Sequence, residues 1–200
     1  MLITLGSELK PRTFSRREMI PLNADVLWLI DRGVVRTTTW NDEGAMVTLG
    51  YWGSNDIVGQ HLSCLSPYQI ECLTSVEALP CSRSQWPLLI DSLVASTQQR
   101  EELLNITRSG KVRQRLTHLL RWLAAKFGRD VSLGRLIDLR LTHQELAEAI
   151  GTTRVTITRL LKDFEQQESI RRVRGHIVIL PQLSHGFSKI AATSLGGFLS

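Results

Sequence analysis

The chain has 200 residues, 42% of them apolar and 22% charged, with 24 Lys and Arg against 19 Asp and Glu and a formal net charge of +5. This length allows one large or two modest cores, and the composition is that of a folded soluble chain rather than a disordered or membrane-spanning one. Cys64, Cys72 and Cys81 are odd in number and include no Cys-x-x-Cys pair, so neither a disulfide framework nor a zinc site is indicated. No basic leader precedes an apolar run at Met1, and no segment approaches about 18 uninterrupted apolar residues, so a reduced, cytoplasmic protein without membrane contact is expected.

The charge is unevenly distributed. Residues 110–180 hold fourteen Lys and Arg against seven Asp and Glu, whereas residues 1–109 hold nine against twelve. A polyanionic partner therefore belongs to the C-terminal half. In chain order, residues 26–59 run in short stretches rich in Val, Ile, Thr and Trp, punctuated by Gly33, Gly44, Gly50, Gly53 and Gly59. A further alternating run over 68–79 stops at Pro80. This pattern predicts short antiparallel strands closing into a β-roll over 1–86.

Beyond Pro87 the period becomes helical, with Leu88, Leu89, Ile90, Leu93 and Val94, a polar middle over 96–102, then Leu103, Leu104 and Ile106. One helix of about six turns is expected within 87–109, placed to pair with its twin across a two-fold axis. Ser109-Gly110 breaks it, which makes Gly110 the expected hinge. An amphipathic helix follows over 111–127, with Leu116, Leu119, Leu120 and Leu123 inward.

Residues 141–162 carry the sharpest pattern. Thr142 and Glu145 have the spacing of a capping box, Leu146, Ala147 and Ile150 form an apolar face, and Gly151 ends the helix. A second helix restarts at once, capped by Thr152 or Thr153. Val155 or Ile157, with Leu160, Leu161 and Phe164, would face inward and leave Arg154, Thr156, Thr158 and Arg159 outside. Two short helices about a tight Gly turn, the second presenting Arg and Thr, read as a DNA-binding helix-turn-helix. Residues 170–180 then read as a hairpin with a basic turn, a wing that completes a DNA-binding domain over 110–180. The tail, 181–200, has Lys189 as its one charge and is expected to be a frayed or surface-packed terminus.

This order of parts over about 10–180 resembles the cyclic-AMP receptor and fumarate-nitrate regulator (CRP/FNR) superfamily of bacterial transcription factors. The stretch Thr153-Arg-Val-Thr-Ile-Thr-Arg-Leu-Leu161 is similar to the cyanobacterial nitrogen-control branch, and Gly53-x-x-Asp56-Ile57-Val58-Gly59 to the turn before the superfamily's effector pocket. The resemblance implies an α+β chain: an N-terminal antiparallel β-roll like a cyclic-nucleotide-binding domain, a long dimerisation helix and a C-terminal winged helix-turn-helix. It further implies a homodimer on a near-palindromic double-stranded DNA site, with RNA polymerase as a partner. By matching positions, Arg154, Val155 and Arg159 would read bases. Thr142, Gln144, Thr153 and Thr156 would contact phosphates, as would Arg172, Arg174 and His176 in the wing.

The effector pocket departs from the pattern. Cyclic-nucleotide binders in the superfamily hold the phosphate with a helix opened by Gly-Glu and a following Arg-Ser pair. Here Gly59 is followed by Gln60 and His61, and residues 61–76 contain neither Arg nor Lys. An anion buried there lacks its counter-charge, which argues against cyclic-nucleotide sensing. Arg100, on the long helix, could enter such a site from the other side and serve a 2-oxoglutarate pocket. Haem or redox sensing would have to use His61 or the three cysteines, one fewer than an iron–sulfur cluster takes. No cofactor is expected, and the effector stays unassigned. His61, His118, His143, His176 and His185 are scattered without metal-ligand or nucleophile–base spacing, so catalysis has no support. A non-regulatory architectural DNA-binding protein is the alternative of another class, and it would bind most duplexes alike.

Overall fold

A computed structural model describes residues 10–184 of the chain. The expectations for residues 1–9 and for the tail from 185 to 200 lie outside the described residues. The chain divides into two compact units, Met1–Glu102 and Leu103–Ser200.

The first unit is built on two antiparallel sheets. One has the order β1-β7-β2-β5, from Arg12–Phe14, Val76–Ser82, Val26–Arg32 and Ile57–Val58; the other has the order β4-β3-β6, from Met46–Trp52, Val35–Trp40 and Gln69–Cys72. Strand β2 explains why the alternation fades at this point in the sequence. Trp28 and Ile30 enter a core with Phe14, Val35, Trp52, Ile70 and Val76. Leu27 and Leu29 point the other way, into a second core with Ile57, Leu79, Cys81 and Leu89. A strand buried on both faces reads as a continuous apolar run. A 3-10 stretch, Arg83–Leu89, covers this second face and leads into helix α1, Ile90–Arg108. On β6, Glu71 accepts from Arg17 and Arg36, each at 2.7 Å. Burial pushes its carboxyl up, but the two guanidinium hydrogen bonds outweigh burial and hold it below the ordinary range.

Helix α1 divides its apolar residues between faces. Leu103 and Ile106 are buried, whereas Ile90, Val94 and Leu104 are 58%, 52% and 56% exposed. The helix ends at Arg108, and Gly110 turns the chain with φ of 67°.

In the second unit, helix α2 (Val112–Phe127) buries Leu116, Leu119, Leu120 and Leu123, the four residues its periodicity predicts. A hairpin absent from the sequence reading follows, β8 (Gly128–Val131) and β9 (Gly134–Ile137). Helices α3 (His143–Ile150) and α4 (Arg154–Gln166) come next, then β10 (Ile170–Val173), β11 (His176–Ile179) and a short helix α5 (Pro181–Ser184). The four strands form one antiparallel sheet, β10-β11-β9-β8, in which the wing hairpin pairs with the unforeseen one.

Candidate nucleic-acid interface

The turn between α3 and α4 is fixed by local chemistry. The Thr142 hydroxyl accepts from the Glu145 amide at 3.1 Å, and Glu145 Oε2 accepts from the Thr142 amide at 2.6 Å. Such a reciprocal cap is worth about 1 kcal/mol. Gly151 takes φ of 63°, a left-handed conformation that a side chain would penalise, and donates back to the Ala147 carbonyl. Thr153, rather than Thr152, caps α4 by accepting from the Thr156 amide at 3.2 Å. The inner face of α3 is Leu146, Ala147 and Ile150, and that of α4 is Ile157, Leu160, Leu161 and Phe164. At its far end, α4 is held to α2 by Arg113, which stacks over Phe164 at 4.6 Å and donates to Gln167 Oε1 at 2.5 Å.

What remains outside is the site. Val155, which the periodicity left as an alternative to Ile157 for the core, is 78% exposed. Arg154 and Arg159 are exposed as well. Val155 and Arg159 are four residues apart and share one face, with Arg154 about 100° round the helix from Val155. Thr142, Gln144 and Thr153 are exposed and Thr156 partly so. Gln144 donates to Glu148 at 3.0 Å, and the Thr153 and Thr156 hydroxyls lie 2.9 Å apart.

In the wing, β10 and β11 pair through Val173 and His176 across a two-residue turn. Arg174 and Gly175 have φ of 49° and 83°, the doubly left-handed turn that suits strand twist and favours Gly at its second position. Arg174 thus occupies the exposed tip. The other two wing residues are engaged within the protein: Arg172 donates to Glu165 Oε2 at 2.5 Å, and His176 Nε2 lies 3.8 Å from Asp138 Oδ1. His143, Thr158 and Glu165 also line this side, and nothing in the sequence marks them as a group. Their contacts join elements 15 and 29 residues apart.

The residues proposed for an effector are only partly brought together. His61 is drawn aside, 3.1 Å from Arg83 Nη2 and edge-on to Trp86. Gly59 and Arg100 instead meet around Tyr68, which the sequence reading overlooked. Burial pushes the Tyr68 phenol up to about 12 against the opposing pull of Arg100, the Gly59 backbone and the Thr37 hydroxyl. The Arg100 guanidinium lies 5.2 Å over Trp52, and Gln99 donates to the Tyr51 carbonyl. Cys72 and Cys81 are fully buried, and burial pushes the Cys72 thiol up to about 12.

Residues 114–183 match the Crp-like helix-turn-helix domain. Over 183 residues the chain is 45% identical to the regulatory protein CysR of Synechococcus elongatus, covering 88% of this chain and 87% of that protein. It is 28% identical over 199 residues to the global nitrogen regulator of Synechocystis sp., with 88% of each covered. A crystal structure of a CRP-family transcriptional regulator from Thermus thermophilus superposes with a TM-score of 0.76 at 18% identity, covering 92% of this chain and 98% of that one. Among the described residues no helix is long and apolar enough to cross a membrane.

Proposed function

The chain belongs to the CRP/FNR superfamily and is a DNA-binding transcription regulator, and from that premise we propose that it binds a near-palindromic operator as a homodimer, α4 entering the major groove of each half-site. The observation that carries this reading is the outward face of α4, where a capped helix start presents Arg154, Val155 and Arg159 together. Arg154, Val155 and Arg159 read base edges. Thr142, Gln144, Thr153 and Thr156 position the helix on phosphates, and Arg172, Arg174 and His176 do so from the wing. Gly110 is the hinge between the dimerisation helix, 87–109, and the DNA-binding domain, 110–180; the β-roll is 1–86. The protein acts in the cytoplasm by binding DNA and RNA polymerase, not by catalysis. Arg174→Ala should weaken binding to all duplexes about equally and lower the slope of log affinity against log salt by about one unit. An unchanged slope would mean that the wing tip does not touch the backbone.

The β-roll pocket does not take a cyclic nucleotide. Arg100 acts on the buried Tyr68 phenol, whose oxygen already engages the Gly59 backbone and the Thr37 hydroxyl. With Cys72 and Cys81 buried, redox sensing through them is also disfavoured. A second reading, a small dicarboxylate such as 2-oxoglutarate, is favoured by Arg100 alone. Calorimetric titration separates these readings. Cyclic AMP should give no binding heat, and tight binding would contradict the pocket argument while leaving the DNA argument intact. Binding of 2-oxoglutarate that is lost in Arg100→Ala would establish the second reading.

A further inference from the structure

His143 stands where three elements meet, and neither the cap nor the base-reading face gives it a role. It is the first residue of α3; its Nδ1 lies 2.8 Å from Thr158 Oγ1 on α4, and its Nε2 makes a long contact of 3.5 Å with Arg172 Nη1 on β10. Thr158 has one hydroxyl proton, which goes to the Arg154 carbonyl at 2.9 Å. Thr158 can then only accept from the imidazole, and this places the imidazole proton on Nδ1. Nε2 is left as an acceptor facing a guanidinium that can only donate. Arg172 in turn donates to Glu165 on α4. The contacts thus run from α4 through α3 to the wing and back to α4.

We propose that His143 is a positioning residue: in its neutral, Nδ1-protonated form it ties the wing to the recognition helix, and its protonation breaks the His143–Arg172 contact, shifts the wing against α4 and weakens operator binding. The charged groups facing it are Arg172 from β10 and Arg154 and Glu165 from α4. Partial burial, then Arg172 and Arg154, push its imidazole below the ordinary range, with Glu165 opposing. The hydrogen bond from Arg172 holds Glu165 below the ordinary carboxylate range, so Glu165 stays ionised while His143 titrates. A depressed imidazole favours the neutral form, so the tie is intact above the ordinary value of about 6.5 and is lost as pH falls below it.

The effect on DNA rests on α4 entering the groove, so the first arm of the test reads the free protein. Nitrogen-15 spectra of the full-length chain should show His143 as the Nδ1–H tautomer above about pH 7; the Nε2–H tautomer would overturn the proposal. The second arm measures affinity for the tightest duplex that the wild-type protein selects from random-sequence DNA. Between about pH 7.5 and 5.5 wild-type affinity should fall about three- to tenfold more than that of His143→Asn, which keeps a donor to Thr158 but has no proton to gain. Contributions common to both proteins cancel in the ratio. An equal response in the two proteins would overturn the proposal. So would a wild-type affinity that rises on acidification, the sign of an imidazolium touching a phosphate directly.

Discussion

Leu104→Glu should convert the protein to a monomer and abolish operator binding in one step. Leu104 is 56% exposed on α1, and Ile90 and Val94 on the same helix are exposed to a similar degree. Ile90, Val94 and Leu104 are the apolar members of a stripe at alternating spacings of four and three whose middle holds the polar Thr97 and Glu101, so the seam expected against a parallel copy closes at its apolar ends, with Leu104 at one of them. Across a two-fold axis each residue of such a seam meets its own copy, so one substitution introduces two buried charges of like sign. At on the order of 2–3 kcal/mol for each uncompensated carboxylate, dimer dissociation should strengthen by roughly three orders of magnitude or more. One helix-turn-helix alone offers too few contacts for specific affinity, so operator binding goes with the dimer. Leu103, the neighbouring leucine of the same sequence pattern, is 4% exposed and unsuitable for the test, because a charge there would damage the fold. Sedimentation at micromolar concentration should give a dimer for the wild type and a folded monomer for Leu104→Glu. A variant that remains dimeric would place the interface elsewhere.

Val155→Glu should change which sequence is bound rather than whether DNA is bound. With 78% of its surface exposed, Val155 adds little to the core of the unit, and its replacement leaves Ile157, Leu160, Leu161 and Phe164 in place. Valine can only pack in the groove, and the apolar feature available there is a thymine methyl. Glutamate accepts hydrogen bonds and prefers cytosine N4. Arg154 and Arg159 leave the helix about 140° apart, so they cannot grip the same base; on the proposed docking one should take a guanine and the other a neighbouring base or phosphate. The substitution should therefore shift preference toward a half-site offering cytosine at that step, by about 1–3 kcal/mol for each base pair changed. Competition between the two duplexes measures the shift. A variant with the wild-type preference would mean that Val155 does not face the bases.

The helix-turn-helix was legible because its determinants are local. Thr142 with Glu145, Gly151, and Thr153 with Thr156 act over three or four residues, and the spacing is itself the signal. The wing was legible for the same reason, through a two-residue turn at Arg174-Gly175. The hairpin β8–β9 was not, because two four-residue strands carrying exposed Arg129 and Asp130 show too little periodicity to register; they are recruited by pairing with β11. The meeting of Gly59, Thr37, Tyr68 and Arg100 was equally hidden. It depends on two sheets and a helix brought together by tertiary packing, so the run of 61–76 without a cation said only half of what surrounds Tyr68. His143 reads in sequence as an ordinary first helical residue, and only the fold places Thr158 and Arg172 on its two nitrogens.

Selection of bound sequences from a pool of random duplex DNA by the full-length protein tests the proposed docking most directly. The bound set should converge on an inverted repeat whose half-sites hold a guanine beside T·A pairs, with centres about 10–10.5 base pairs apart, the spacing set by two recognition helices on one face of the duplex. A pool that does not converge, or one that converges on a G·C-rich direct repeat, would contradict both the two-fold pairing of the chain and the placement of Arg154, Val155 and Arg159 against the bases.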